Sequence, residues 1–169
     1  MRTFFKNRNT QKLIANQSNA SFNGLSQAKS VLVLFRNETP NKTSLVKRVG
    51  KMIALHNLDM NICGYLPFKL EKGAEAVHGY IYENQLNWLG NPKVESVKGL
   101  TNQEFDVIID LDEEMDSPNN FILLSTKAGI RVGVNKKKNL YDLTVERAGN
   151  SEESIVNEIE FYLKNIVKA

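Results

Sequence analysis

The stretch Phe105-Asp106-Val107-Ile108-Ile109-Asp110-Leu111-Asp112-Glu113-Glu114, followed by Ser117 to Ala128 and then by Ile130-Arg131-Val132-Gly133-Val134, reads as strand, acidic loop, short helix, strand. Val107 to Asp110 is a continuous apolar run closed by a carboxylate, the pattern of a strand buried on both faces. Ser117 suits an N-cap, Pro118 the first helical position and Gly129 the C-terminal stop. Together they make one βαβ unit, and parallel strands are what such a crossover joins. The unit puts Asp110 and Asp112 at the carboxyl edge of a strand, where open α/β sheets bind ligands.

Upstream, Val31-Leu32-Val33-Leu34-Phe35 lies in a strand expected over Ser30 to Arg36, apolar throughout and therefore central. Asn37 to Lys42 is its loop. Leu45, Val46, Val49, Met52 and Ile53 recur at helical spacing and predict a helix from Thr43 to His56, with His56 near the end that favours a cation. Asn61 to Leu66 reads as a second strand and Gly79 to Tyr82 as a short third. Asn84 to Pro92 reads as a turn of helix and a loop. Its Trp88, the sole tryptophan, is expected to fill the space between loop and sheet, with stacking on a ring-shaped ligand as the functional alternative. Lys93 to Gln103 reads as a polar linker.

Downstream, Asn135 to Asn139 is a basic loop, and Leu140 to Glu146 a last, edge strand. Asn150 is the expected cap of a final helix, with Glu153 three residues on as in a capping box. Ile155, Ile159, Tyr162, Leu163 and Ile166 form that helix's apolar stripe. The fold predicted is α/β: one three-layer, Rossmann-like domain over 29–169, with a mostly parallel sheet of five or six strands. A basic helical extension over 1–28 precedes it.

At 169 residues the chain can build one real core. Its net charge of +3 is too small to argue for nucleic acid. The distribution says more: Met1 to Asn37 holds six Lys/Arg and no acid, whereas Asn61 to Ala169 holds twelve basic and seventeen acidic residues. The first twenty residues imitate a mitochondrial presequence, but a basic amphipathic helix lying on the domain or on an acidic protein partner is the expectation here. No apolar run approaches the roughly 20 residues of a membrane span, and no signal-peptide core is visible. Cys63, the one cysteine, falls in a strand and reads as a buried, inert thiol.

The acidic run Asp110, Asp112, Glu113, Glu114 and Asp116 is the sharpest chemical feature. Its plain reading is a solvated loop placed before a helix N-terminus, where negative charge is favoured. Its functional reading is Mg²⁺ bound through Asp110 and Asp112, since that ion takes one or two carboxylates plus phosphate and water. An EF-hand needs Gly at the loop's sixth position, and Met115 stands there. The four apolar residues before Asp-x-Asp resemble the nucleophile motif of haloacid-dehalogenase phosphatases, which would make Asp110 the nucleophile and Asp112 the acid/base. Glu113, however, replaces the usual Thr or Val, and the Ser125-Thr126 run that would be the second motif comes before any cap or intervening strand. Glycine-rich phosphate motifs are missing from the sequence, and His56, His78 and Cys63 make a poor set for zinc.

Phe22-Asn23 with Ala28-Lys29-Ser30, Gly64-Tyr65, Leu86-Asn87-Trp88-Leu89-Gly90-Asn91-Pro92, Phe105 to Leu111, Leu124-Ser125 with Ala128-Gly129-Ile130-Arg131-Val132-Gly133, and Tyr141-Asp142-Leu143 occur in this order. The pattern resembles a family of small bacterial proteins, mainly from Bacteroidetes, that form a domain of unknown function. That resemblance spans Phe22 to Lys164 and implies a cytoplasmic protein with no established activity. Phe105 to Leu111, the helix and the Arg131-x-Gly133 strand also resemble, more distantly, the acceptor-side half of heptosyltransferase-type glycosyltransferases. The resemblance implies a Rossmann-like fold. It does not extend to the catalytic Asp that follows the first strand there, because Pro40 and Asn41 hold the matching positions.

Three functions follow as expectations. The first is a non-catalytic binding domain that uses Arg36, Asn37, Asn41, Lys42, Asp110 and Asp112 for a small anionic or metal-bridged ligand. The second is a small enzyme acting on a phosphorylated or glycosyl substrate, with Asp110 and Asp112 as metal ligands or acid/base. The third is RNA binding through the basic extension.

Overall fold

Seven residues, Ser30–Arg36, form strand β1, and it has a parallel neighbour on each side: β2 (Asp59–Leu66) and β4 (Glu104–Asp110). The structure, a computed structural model, describes residues 21–38, 43–114, 117–136, 140–147, 149 and 151–166. β3 (Tyr80–Tyr82) lies beyond β2, and β5 (Lys127–Val134) and then β6 (Leu143–Val145) lie beyond β4. The sheet order is β3-β2-β1-β4-β5-β6 and every pair is parallel. Leu34 sits opposite Asp110, and Asp110 opposite Gly133. The strand pair expected from the Phe105–Val134 stretch therefore runs in one direction, with Asp110 at its carboxyl rim.

Four described α-helices flank the sheet: α1 (Ser44–Leu55), α2 (Val94–Thr101) and α3 (Asn119–Ser125) lie between strands, and α4 (Glu152–Asn165) follows β6. Alternation along β1 assigns them to two layers. Val31, Val33 and Phe35 share one apolar cluster with Leu45, Val49 and Ile53 of α1 and Ile155, Ile159 and Leu163 of α4. Leu32 and Leu34 share the other with Val97 of α2 and Ile122 and Leu123 of α3. Both faces of the central strands are covered, which is why those strands read as unbroken apolar runs. Each such side chain, taken fully out of water, contributes about 1.5–3 kcal/mol.

Local chemistry sets the ends. Thr43 caps α1, its hydroxyl accepting the Val46 N–H at 3.3 Å. At the amino edge, the Asp106 carboxylate accepts the N–H groups of Lys29 and Ser30 at 2.7 and 3.0 Å, pinning the start of β1 to β4. Residues 1–20 of the expected basic extension lie outside the described residues. Residues 21–28 carry no helix; they bury Phe22 and Leu25, and the Leu25 N–H donates to the Leu163 carbonyl at 2.9 Å.

Several expectations need correcting. Lys93 to Gln103 is not a linker: it contains α2, whose single buried residue, Val97, gave too faint a stripe to read. α3 stops at Ser125 rather than at Gly129, because Arg131 reaches back to the carbonyls of Leu123 and Thr126 at 3.3 and 3.0 Å. Gly129 lies inside β5, where a Cβ would come 2.8 Å from the Asp106 carbonyl oxygen. Ser151 caps α4, accepting the Ser154 N–H at 3.1 Å; Asn150 lies outside the described residues. Trp88 fills no interior space. It is 67% exposed, at the tip of a loop that the Asn87 side chain ties by accepting the N–H groups of Leu89 and Asn91.

Candidate functional site

In a sheet of this order, the connections from β1 and β4 leave toward opposite faces, and a crevice opens between their carboxyl ends. A cleft of about 390 Å³ occupies that place. The end of β1 and the residue after it deliver Arg36 and Asn37, the cap of α1 delivers Thr43, and the segment after β4 delivers Asp112, Glu113 and Glu114. Arg147, after β6, and Glu152, the first residue of α4, complete the rim. Two ion pairs lie along it. Arg36 Nη1 is 3.5 Å from Glu114 Oε1, with its guanidinium over the Tyr65 ring, 5.5 Å from the centroid. Arg147 pairs with Glu113.

Beneath the crevice the first two acids of the run behave differently. Asp110 is fully buried and Asp112 2% exposed, so the solvated-loop reading does not hold for them. Asp110 Oδ1 accepts the Asp112 N–H at 3.0 Å, and Oδ2 accepts the Tyr141 hydroxyl at 2.6 Å, with Lys136 Nζ 3.7 Å away. Burial pushes the Asp110 carboxyl up to about 6; Lys136, Tyr141 and the Asp112 N–H work against that, and the Asp112 charge adds to it. Burial, and then the facing Asp110 charge, raise the Tyr141 phenol above its ordinary value. Asp112 Oδ1 accepts the Glu114 N–H at 3.0 Å, and Oδ2 accepts the Ser117 hydroxyl and, at 3.1 Å, the Asn119 amide. The same Asn119 amide donates to the Phe35 carbonyl at 3.0 Å, so it ties the end of β1 to the segment after β4. Lys136 adds a bond to the Glu114 carbonyl at 2.6 Å. The segment is thereby held in shape from below.

The sequence model of a family of unknown function, DUF6913, matches residues 2–166. The chain belongs to that family. Neither a curated protein nor a solved structure matches it. The DUF6913 assignment agrees with the small uncharacterised family that the sequence resembles, and it brings no activity with it. Of the residues expected to form a site in this DUF6913 chain, Arg36, Asn37 and Asp112 line the cleft. Asp110 does not; its carboxylate turns to the α2/α3 side of the sheet, beside Tyr141. Asn41 and Lys42 lie outside the described residues, as does Pro40.

All four carboxylate oxygens of Asp110 and Asp112 accept an N–H or O–H donor of the chain, so a Mg²⁺ ion would have to displace donors already there. Among the described residues no three His, Cys, Asp or Glu side chains gather as metal ligands, and no described helix is long and apolar enough to cross a membrane. Sequence reasoning missed Thr43, Arg147 and Glu152 as cleft residues and Asn119 and Tyr141 as the partners of Asp112 and Asp110. Asn119 could have been found, since Ser117-x-Asn119 before an apolar turn supplies two side chains that reach a nearby carboxylate. Cys63, buried and pushed up to about 12 by desolvation, stays a thiol at neutral pH, as the sequence suggests.

Proposed function

We propose that this chain is a non-catalytic binding domain that holds a small polar molecule in the crevice between the carboxyl ends of β1 and β4. The observation that carries the reading is the coincidence of strand order and cleft: polar side chains from five separate segments converge where this topology leaves a gap. The cleft's volume falls in the range of small-molecule sites, about 300–1,000 Å³. An enzyme that uses Asp110 and Asp112 as acid/base or metal ligands draws less support, because both carboxylates are spent on fixing the segment that forms the wall. A reducing compartment such as the cytoplasm suits the reading, since the one cysteine is a buried thiol.

The test is an amide-resolved titration of the full chain with sugars, nucleosides and small amines. Saturable shifts confined to Asn37, Thr43, Asp112–Glu114 and Arg147, and lost in Arg36→Ala, are expected. Shifts at other places, or none with any of these compounds, would sink the reading.

A further inference from the structure

In doubly wound folds of this strand order, a ligand's phosphate sits at the N-terminus of the helix after β1, against free backbone N–H groups and the positive end of the helix dipole. Here that helix is α1, and a carboxylate of the chain lies beside its first residue. Glu152 Oε2 accepts the hydroxyl of Ser44, the first residue of α1, at 2.5 Å. Arg48 Nε, one turn along, lies 3.5 Å from the same oxygen. Glu152 is also the first residue of α4, so one carboxylate serves the positive ends of two helices. Its side chain is 29% exposed and forms part of the cleft wall.

The rest of the described wall tells the same way. Five acidic residues line it, Glu38, Asp112, Glu113, Glu114 and Glu152, the Asp112 carboxylate turned beneath the wall, against the two guanidinium groups of Arg36 and Arg147. Each of those arginines is paired with one of the five. A phosphomonoester, carrying about −1.5 to −2 at neutral pH, would meet this excess and the Glu152 carboxylate beside the first turn of α1.

Resting on the reading of the crevice as a binding site, we propose that Glu152 is its selectivity residue. It stands in for a phosphate and restricts the crevice to unphosphorylated molecules that donate hydrogen bonds to carboxylates through hydroxyl or amino groups. Such a ligand departs from the sequence-based expectation of an anionic one.

Inorganic phosphate is the probe, titrated at constant ionic strength into the full-length chain, Glu152→Gln and Glu152→Ala, with the amides of Thr43 to Lys47 as the readout. Retained amide dispersion checks that each variant folds. Glu152→Gln can keep the Ser44 hydrogen bond and loses only the charge; Glu152→Ala also vacates the space. Little response from the unmodified chain and at least tenfold tighter phosphate binding in Glu152→Ala, with Glu152→Gln between them, are expected. Equal binding by all three proteins, or no gain in either variant, overturns the proposal. The gain needs no natural ligand, so the two readings fail separately. If Glu152→Ala gains phosphate while no sugar, nucleoside or amine shifts the unmodified cleft, the role of Glu152 stands and the binding-domain reading falls.

Discussion

Asp110 and Asp112 share one acidic run with Glu113 and Glu114, yet the two pairs meet opposite fates. The first pair is buried, with every carboxylate oxygen hydrogen-bonded; the second is half in water and held by arginines across the cleft. Position along the chain decides this. Asp110 ends a strand covered on both faces, and Asp112 is drawn under the segment by Ser117 and Asn119. By Glu113 the backbone has left the sheet. Identical charge therefore serves as scaffold in one place and as surface in the next, and the number of acids in a run says little about where a ligand sits.

The largest effect that would break this contrast is expected from Asp110→Ala. It strips the acceptor from the Tyr141 hydroxyl and the counter-charge from Lys136, whose side chain is 1% exposed. Removing one member of a buried charged pair costs about 3–5 kcal/mol, readable as a lower urea midpoint at unchanged slope. A loss under about 1 kcal/mol would mean that the buried pair is not scaffold at all.

A pH titration of stability sharpens the same point. The folded Asp110 carboxyl titrates near 6, above its ordinary 3.8, so the folded chain holds that proton more tightly than the unfolded one. Its contribution is complete below about pH 4 and is lost as the pH rises through about 6. At about 1.4 kcal/mol per pKa unit this amounts to roughly 3 kcal/mol. Asp110→Asn should remove that slope and leave a flatter stability curve between pH 4 and 7. Parallel curves for the two proteins would show that Asp110 titrates normally.

Smaller effects follow from the packing around the pair and from the rim. A Cβ at Gly133 would stand 2.7 Å from the Tyr141 ring and 2.9 Å from Lys136 Cβ. Gly133→Ala should thus displace both partners of Asp110, at about 1–3 kcal/mol by thermal or urea unfolding. Glu113→Gln, at the exposed end of the run, should change stability by about 0.2–1 kcal/mol, and less in high salt, because its pair with Arg147 is partly solvated.

The sheet was largely legible because its strands are covered on both faces: Ser30–Arg36 and Phe105–Asp110 announce themselves as apolar runs, and α1 as five apolar positions at helical spacing. Features set by distant partners were not. The end of α3 depends on Arg131, the exposure of Trp88 on a loop tied by Asn87, and the burial of Asp110 on Tyr141, 31 residues away. The rim at which the cleft opens was readable from the strand–carboxylate pattern. Its lining was not, since Thr43, Arg147 and Glu152 become neighbours only when the sheet order is known.

That order also governs how the chain can be made. Residues 30 to 82 supply β1, β2 and β3, but the other edge of β1 can be satisfied only by Glu104–Asp110. During synthesis at about 5–20 residues per second, the nascent half-sheet must wait seconds on the ribosome with its most apolar strand open along one side. A chaperone that shields extended backbone would find Ser30–Arg36 within reach during that interval, and lose it once β4 emerges.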